Sequence, residues 1–365
     1  MNAPSIIPLA EPLLPPHCAE AVARQVQTGF VGPGPKAQEF AASLAKEAGV
    51  PHGLTVASGT VALSVAAIAL GLRPGDEIVL PAYGVISVIN AFGSLGLKPR
   101  LADIDAKTGC ISAVALEKAI TPATRAVCFV DFAASLGPEL DEARALCQSR
   151  KLPFIEDAAW ALGRKARGKK GGGNGDIGIT SFSVPKIITT GQGGALFLHD
   201  EAMLNKAVAL VDQGDTEWRK TGVNRGIGSN LRLSDVSAAL GLAQLQELPE
   251  RLKIKARNHE IIRKGLGERL FRASDGEPST LNIVFVEEPE SLMGFLKTKG
   301  ILSMRQYRGY WQHPPYAALN DNFKGAQFWT DHAVYLPFGI GLSEEQAVRV
   351  MEAAAAYNGT FLAPS

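Results

Sequence analysis

Lys186 closes the run Ser181-Phe182-Ser183-Val184-Pro185-Lys186 and is followed at once by Ile187-Ile188-Thr189-Thr190-Gly191-Gln192-Gly193-Gly194. Its neighbours are small or apolar, surroundings that disfavour an ammonium and lower its pKa. The neutral amine is the form that attacks an aldehyde, so a desolvated lysine is a natural Schiff-base former. Twenty-nine residues upstream, Ile155-Glu156-Asp157-Ala158-Ala159 sets a carboxylate at the end of an apolar strand. Such a lysine with such a carboxylate is the pair that pyridoxal phosphate requires, because the acid keeps the pyridine nitrogen protonated and makes the ring an electron sink. A surface lysine in a glycine-rich turn is the plain alternative, and the remaining motifs weigh against it.

A phosphate needs its own receptor. Val56-Ala57-Ser58-Gly59-Thr60-Val61-Ala62-Leu63 reads as a strand, a turn of small residues and a helix start. Small residues let backbone N–H groups approach an anion, and a helix N-terminus favours negative charge. Taken alone, Ser58 or Thr60 could simply cap a helix. Beside Lys186 and Asp157 the turn becomes a phosphate cup formed by Ser58, Gly59 and Thr60, with Ser181 able to add a hydroxyl. The glycine-dense, basic stretch from Gly168 to Gly175 lacks the spacing of a phosphate loop and has no helix directly after it, so it reads as a mobile surface connection.

The elements that must position these groups alternate along the chain. Residues 1–35, rich in Pro and Gly, predict an arm with one short helix at 17–27, followed by a helix over 36–48. Apolar segments at 53–56, 77–81, 99–103, 125–132, 153–156, 178–183 and 194–198 read as strands. Helices are expected at 60–71, 140–150, 201–213 and 234–248, with a long connector at 250–268. Further strands fall near 280–287 and 301–304, and a final helix at 343–357. Strand–helix alternation predicts an α/β fold, a mostly parallel sheet with helices on both faces, in a large domain over residues 1–250. A smaller α+β domain is expected over 251–365.

Composition bounds the function. The 365 residues carry 37 basic and 36 acidic side chains, a formal net charge of +1, with no basic run, so nucleic acid is not an expected partner. Cys18, Cys110, Cys128 and Cys147 show no metal-ligand spacing and read as reduced core residues. No basic segment followed by an apolar stretch opens the chain, and no apolar run approaches the ~20 residues of a membrane span. A cytoplasmic protein without a membrane contact is expected.

In order, Ser-Gly-Thr-x-Ala-Leu, Pro-Gly-Asp-Glu-Ile-Val-x-Pro at 74–81, Asp103-x-Asp105, Glu-Asp-Ala-Ala at 156–159 and Ser-Phe-x-x-x-Lys at 181–186 resemble the DegT/DnrJ-type sugar aminotransferases. The likeness continues through Asn230-Leu231-Arg232-Leu233-Ser234-Asp235 and Gln244-Leu245 to His313 and Leu336-Pro337, nearly the whole chain. The resemblance implies a fold-type I enzyme that aminates keto sugars carried on nucleotides, with L-glutamate as donor and ping-pong kinetics. It implies that Lys186 holds the cofactor and shuttles the proton, that Asp157 pairs with the pyridinium, and that Gly59, Thr60 and Ser181 bind phosphate. Asn230 would reach the phosphate of the neighbouring subunit, which implies a homodimer, and Arg232 and His313 would lie near the substrate.

Two departures stand out. The family places a stacking aromatic ring where this chain has Val85, and a Gln or His near the cofactor's phenolic oxygen where it has Trp160. Trp160 or Tyr83 is therefore expected to supply the missing aromatic contact, unless both only fill the core. Gln192 in place of Glu and Asp131 in place of His point to an unusual substrate. A cyclitol or another polyhydroxylated ketone is the alternative acceptor. A non-catalytic regulator on the same fold would be marked by an unreactive cofactor. A sugar dehydratase is disfavoured because Lys186 is intact, and a dinucleotide-binding oxidoreductase because no Gly-x-Gly-x-x-Gly turn follows the first strand.

Overall fold

The computed structural model describes residues 5–364. Seven strands form the central sheet: β1 His52–Val56, β2 Glu77–Pro81, β3 Lys98–Ala102, β4 Thr124–Val130, β5 Phe154–Asp157, β6 Ile177–Ser181 and β7 Gly194–Leu198. Their order is β1-β7-β6-β5-β4-β2-β3, with β7 antiparallel to both neighbours and every other pair parallel. Six strands thus share one direction, as strand–helix alternation predicts. The interior strands read as continuous apolar runs because helices cover both faces. Phe154, Ile155, Glu156 and Asp157 of β5 are all buried, and so is all of β7.

Because β7 alone is reversed, the chain leaving β6 must turn back at the same sheet edge where β1, β4 and β5 end. That edge, outside the carboxyl ends of the parallel strands, is where open α/β sheets bind ligands. Lys186, Asp157 and Ser58 all follow or end strands there.

Helices begin where the turn residues direct. Ser58 caps Gly59–Ala69 by accepting from the Val61 N–H at 3.2 Å. Pro249 stands in the first turn of Leu248–Leu266, and the pattern expected over 234–268 resolves into Asp235–Leu245 followed by this long helix. The arm over 1–35 is described from residue 5, and its first four residues lie outside the described residues. Ile7 bridges Ile301, and the backbone of Leu9 and Glu11 accepts from Phe338 and Gly341, so the arm ties to the C-terminal part of the chain. There, Asn282–Phe285 pairs antiparallel with Ala333–Leu336, a strand that sequence periodicity did not reveal. Residues 301–304 do not form the expected strand. Ile301 is engaged by the arm and Met304 by Tyr335, so two single bridges to different partners replace one ladder.

The stretch 168–175 is likewise no mobile connection. The fully buried Glu156 carboxylate accepts from the backbone N–H groups of Gly172 (2.8 Å), Asn174 (2.6 Å) and Gly175 (3.0 Å), and from the Asn174 amide (2.7 Å). A Cβ on Gly172 would lie 2.5 Å from the Phe197 ring, and one on Gly178 would lie 1.9 Å from the Gly172 carbonyl oxygen. Gly172 is demanded by close packing against β6 and β7, while the lysines are tied only at the surface, Lys169 to Asp141 and Lys170 to the Lys46 carbonyl at 3.4 Å. Replacing Glu156 by Leu strands four donors in the interior. It should destabilise the fold by about 3 kcal/mol, measured by urea unfolding, whereas Lys169→Ala should change it by less than about 1 kcal/mol.

Candidate active site

The lysine loop is fixed at both ends and in the middle. Phe182 N–H donates to the Gly193 carbonyl and Thr190 N–H to the Phe182 carbonyl, closing residues 182–193 on themselves. The buried Gln244 amide grips Thr189 from both sides, accepting from its N–H at 3.1 Å and donating to its carbonyl at 2.6 Å. Arg251 donates to the Ile187 carbonyl at 3.4 Å. Gly194 opens β7 because Ser58 passes against it. A side chain there would meet the Ser58 carbonyl at 2.6 Å and the Gly59 nitrogen at 2.7 Å. The sequence run Gly-x-Gly-Gly is thus a requirement for bringing the Ser58 turn beside the lysine loop.

Around this junction lies a cavity of about 210 Å³, lined by Ser58, Gly59, Thr60, Val85, Asp157, Trp160, Ser181 and Lys186, together with Gln192 and Tyr307. Eight of the twelve residues singled out in the sequence therefore converge. Ser58 Oγ is committed to its helix cap, whereas the first N–H groups of the helix, at Gly59 and Thr60, have no intrahelical acceptor. Gly59 lies so close to Ser181 that a Cβ would approach Ser181 Cβ at 2.8 Å. The bare backbone of Gly59 and the Ser181 hydroxyl consequently face one small volume.

Lys186 is 7% exposed, and the amine's Nζ lies 3.3 Å from the centroid of the Trp160 ring. Among the described residues it forms no hydrogen bond or ion pair. Burial lowers its pKa to about 7, and the attraction of Asp157 only partly offsets this. Asp157 is buried opposite, its Oδ1 accepting from the Ala159 N–H at 3.0 Å. Burial raises its pKa, and the Ala159 N–H and Lys186 pull it back.

Four of the sequence candidates sit elsewhere. Tyr83 is core: its hydroxyl donates to the Gln306 carbonyl at 2.9 Å and pairs with the Tyr335 hydroxyl at 3.0 Å, and it does not line the cavity. The aromatic rings that do, besides Trp160, are Phe132 and Tyr307, the latter held at a φ of 65°. No periodicity marks Tyr307 in the sequence, because a loop position with positive φ has no pattern to obey. Asn230 accepts from Arg232 at 3.1 Å, and Arg232 pairs with Asp212 at 3.0 Å; neither lines this cavity, although Arg232 bridges Val56 just before the Ser58 turn. His313 stands half-buried between two short 3₁₀ turns, also outside the cavity. Asp131 lies wholly buried beneath the site, neither carboxyl oxygen has a hydrogen-bond partner among the described residues, and burial, with the nearby Glu156 next, raises its pKa well above the usual carboxylate range.

A doubly covered, mostly parallel sheet with a desolvated lysine amine facing a buried carboxylate defines an α/β enzyme of group transfer. The chain belongs to the DegT/DnrJ/EryC1/StrS aminotransferase family, whose model matches residues 16–355. It is an aminotransferase. GDP-perosamine synthase of Caulobacter vibrioides is 32% identical over 86% of this chain and 88% of its own length. The L-glutamine:2-deoxy-scyllo-inosose aminotransferase of Streptoalloteichus tenebrarius is 32% identical over 78% and 70%. Among solved structures, the sugar aminotransferase CalS13 of Micromonospora echinospora superposes with a TM-score of 0.88 at 26% identity, covering 96% of this chain and 100% of its own. Among the described residues no helix is long and apolar enough to cross a membrane.

The amine makes a direct prediction. In the cofactor-free protein, the pH dependence of Lys186 acylation by acetic anhydride, read by peptide mass spectrometry, should have a midpoint near 7. A midpoint near 10.5, the ordinary value, would show that the amine is solvated.

Proposed function

We propose that this enzyme transfers an amino group from L-glutamate to the ketone carbon of a sugar carried on a nucleotide, with pyridoxal phosphate held covalently by Lys186. The observation that carries the reading is a lysine amine whose pKa burial lowers to about 7, sharing a small cavity with a buried Asp157, in a chain of aminotransferase family. The residues present fit the cofactor. The free N–H groups of Gly59 and Thr60 and the Ser181 hydroxyl meet the phosphate's need for donors at a helix N-terminus. Asp157 would hold the pyridine nitrogen, and Val85 and Trp160 would flank the ring. Bound there, the cofactor supplies the aldehyde and the electron-accepting ring of transamination.

The chain's own work is then limited and specific. Lys186 Nζ, displaced by the donor amine, takes the proton from the donor's α-carbon and returns it on the other side of the exchange. Trp160, Phe132 and Tyr307 wall the cavity and exclude water from that nitrogen. The Tyr307 phenol, raised in pKa by burial and by Asp157, stays protonated and presents a neutral hydroxyl to whatever enters.

Asn230 and Arg232 are proposed to serve the cavity of a partner subunit in a homodimer, since they lie outside this chain's own cavity. His313 is proposed to face substrate only in that assembly. The relative named for an inosose acceptor and L-glutamine favours a second reading, a cyclitol ketone with glutamine as donor.

Borohydride reduction of the loaded enzyme should trap the cofactor on Lys186, seen as a mass increase on its peptide, and Lys186→Ala should lose more than about a thousandfold in turnover. A trapped adduct on any other lysine overturns the assignment. A panel of nucleotide-linked keto sugars against inosose-type ketones, with glutamate and glutamine each as donor, separates the two acceptor readings. If the sites are shared, mixing Lys186→Ala with Asn230→Ala subunits should restore about a quarter of wild-type activity, because half the dimers are mixed and each has one intact site. No recovery on mixing would place Asn230 outside the partner's site.

A further inference from the structure

The turn that ends β5 delivers two side chains to the cavity at once. Asp157 closes the strand, its Oδ1 accepting from the Ala159 N–H, and the Ala161 N–H donates to the Ala158 carbonyl at 2.9 Å. Between them stands Trp160, which is buried, lines the cavity and bears Lys186 Nζ 3.3 Å from its ring centroid. The ring is buttressed from the other side. Phe338 meets it edge to face, 5.8 Å between centroids at 80°. Phe338 is held in turn by its own N–H, which donates to the Leu9 carbonyl at 2.9 Å, and by Lys255, which donates to its carbonyl. A flat π-surface is therefore fixed against the one nitrogen that the proposed reaction uses.

A dry cavity sets that nitrogen two opposing demands. To attack, Nζ must be neutral, and burial provides for this. To work as a base it must then accept a proton. The donor's C–H bond breaks with its electron pair left on the carbon side, an N–H bond forms, and the amine becomes an ammonium in the same desolvated place. A buried cation needs a partner. Asp157 is one, but in the loaded enzyme its charge is assigned to the pyridine nitrogen. Among the other titratable groups around Lys186, Tyr307 is a neutral phenol. Lys255, bound to the Phe338 carbonyl, has its own pKa lowered to about 7 by burial and then by Lys186, and Arg251 holds the adjoining Ile187 carbonyl. None of these favours a positive charge at Nζ, and Nζ has no hydrogen-bond acceptor among the described residues. What remains is the negative face of the indole, the best of the aromatic side chains for holding a cation and strongest where water is excluded.

We propose that the face of Trp160 is the seat of the Lys186 ammonium, stabilising the charge that Nζ acquires each time it takes up a proton. The inference rests on Lys186 being the amine that carries the cofactor and shuttles the proton. Burial and the ring act in opposite senses on one nitrogen, burial favouring its neutral form and the indole its charged form. The amine is thereby free to attack and still able to serve as a base.

The test compares wild type, Trp160→Phe and Trp160→Leu as cofactor-free proteins, with acetic anhydride as the probe and mass spectrometry of the Lys186 peptide as the readout. Removing the ring should lower the acylation midpoint of Lys186 by about one pH unit, leaving about tenfold less ammonium at pH values above both midpoints. Trp160→Phe keeps a ring with a weaker face, so its midpoint should fall by less. In the loaded enzyme at saturating L-glutamate, the absorbance change that follows mixing should be about threefold slower in Trp160→Leu, because a weaker base takes the proton more slowly. A merely structural Trp160 would lower the thermal midpoint and leave the acylation midpoint unmoved. A ring that serves only to exclude water would raise the acylation midpoint when truncated. Either result overturns the proposal. Should Trp160→Leu fail to fold, a midpoint in Trp160→Phe at or above that of wild type overturns it equally. If borohydride traps no cofactor on Lys186, the proposed function fails, while the cofactor-free midpoints still report on the ring and the amine. If the adduct forms and the three midpoints coincide, only the role of Trp160 fails.

Discussion

An amine that must be neutral at the moment of reaction can be kept so by withholding water and acceptors from it, and the neighbourhood of Lys186 is organised to do that. Its nitrogen meets the face of Trp160 and, among the described residues, forms no hydrogen bond. Desolvation of this kind only works if the loop carrying the lysine cannot relax toward solvent, because a lysine stem is long enough to snorkel out. Gln244 and Arg251, both buried, hold Thr189 and Ile187 by their backbone, so the loop has no slack. The helices supplying those two residues are thereby part of the site without lining it.

The same constraint explains the reversed strand. Turning the chain back into β7 immediately after β6 keeps the lysine loop short and returns it beside β1, where Gly194 lets the Ser58–Gly59 turn pass at backbone distance. A helical crossover would have carried the chain away from the edge. The anion-binding helix start, the lysine and the carboxylate at the end of β5 are thus neighbours because of one topological choice.

Departures from the family pattern gather around the amine. Val85 gives no ring, and its carbonyl accepts from the Tyr310 hydroxyl at 3.0 Å, fixing the start of the next helix. Trp160 occupies the position of a polar residue and presents its face to Lys186, with Phe338 behind it. Beneath the site, Asp131 is a buried acid whose pKa burial raises well above the usual carboxylate range.

The strand–helix alternation, the helix at Ser58 and the lysine beside its small and apolar neighbours were legible from local sequence, since each depends on periodicity or on a cap residue within a few positions. So was the convergence of Lys186 and Asp157 on one cavity, because Asp157 ends a strand and Lys186 follows one at the same sheet edge. What local sequence could not decide were contacts between residues far apart in the chain. The glycines at 168–175 looked like slack until Glu156 was seen to bind them; Tyr83, offered as a ring at the cofactor, lies in the core, and Tyr307, which no sequence signal marked, lines the cavity. Segment 301–304 lost its strand to two competing partners, and Lys255 reached Phe338 across 83 residues. Burial, register and side-chain contact are properties of packed neighbours, and only the folded chain says which neighbours those are.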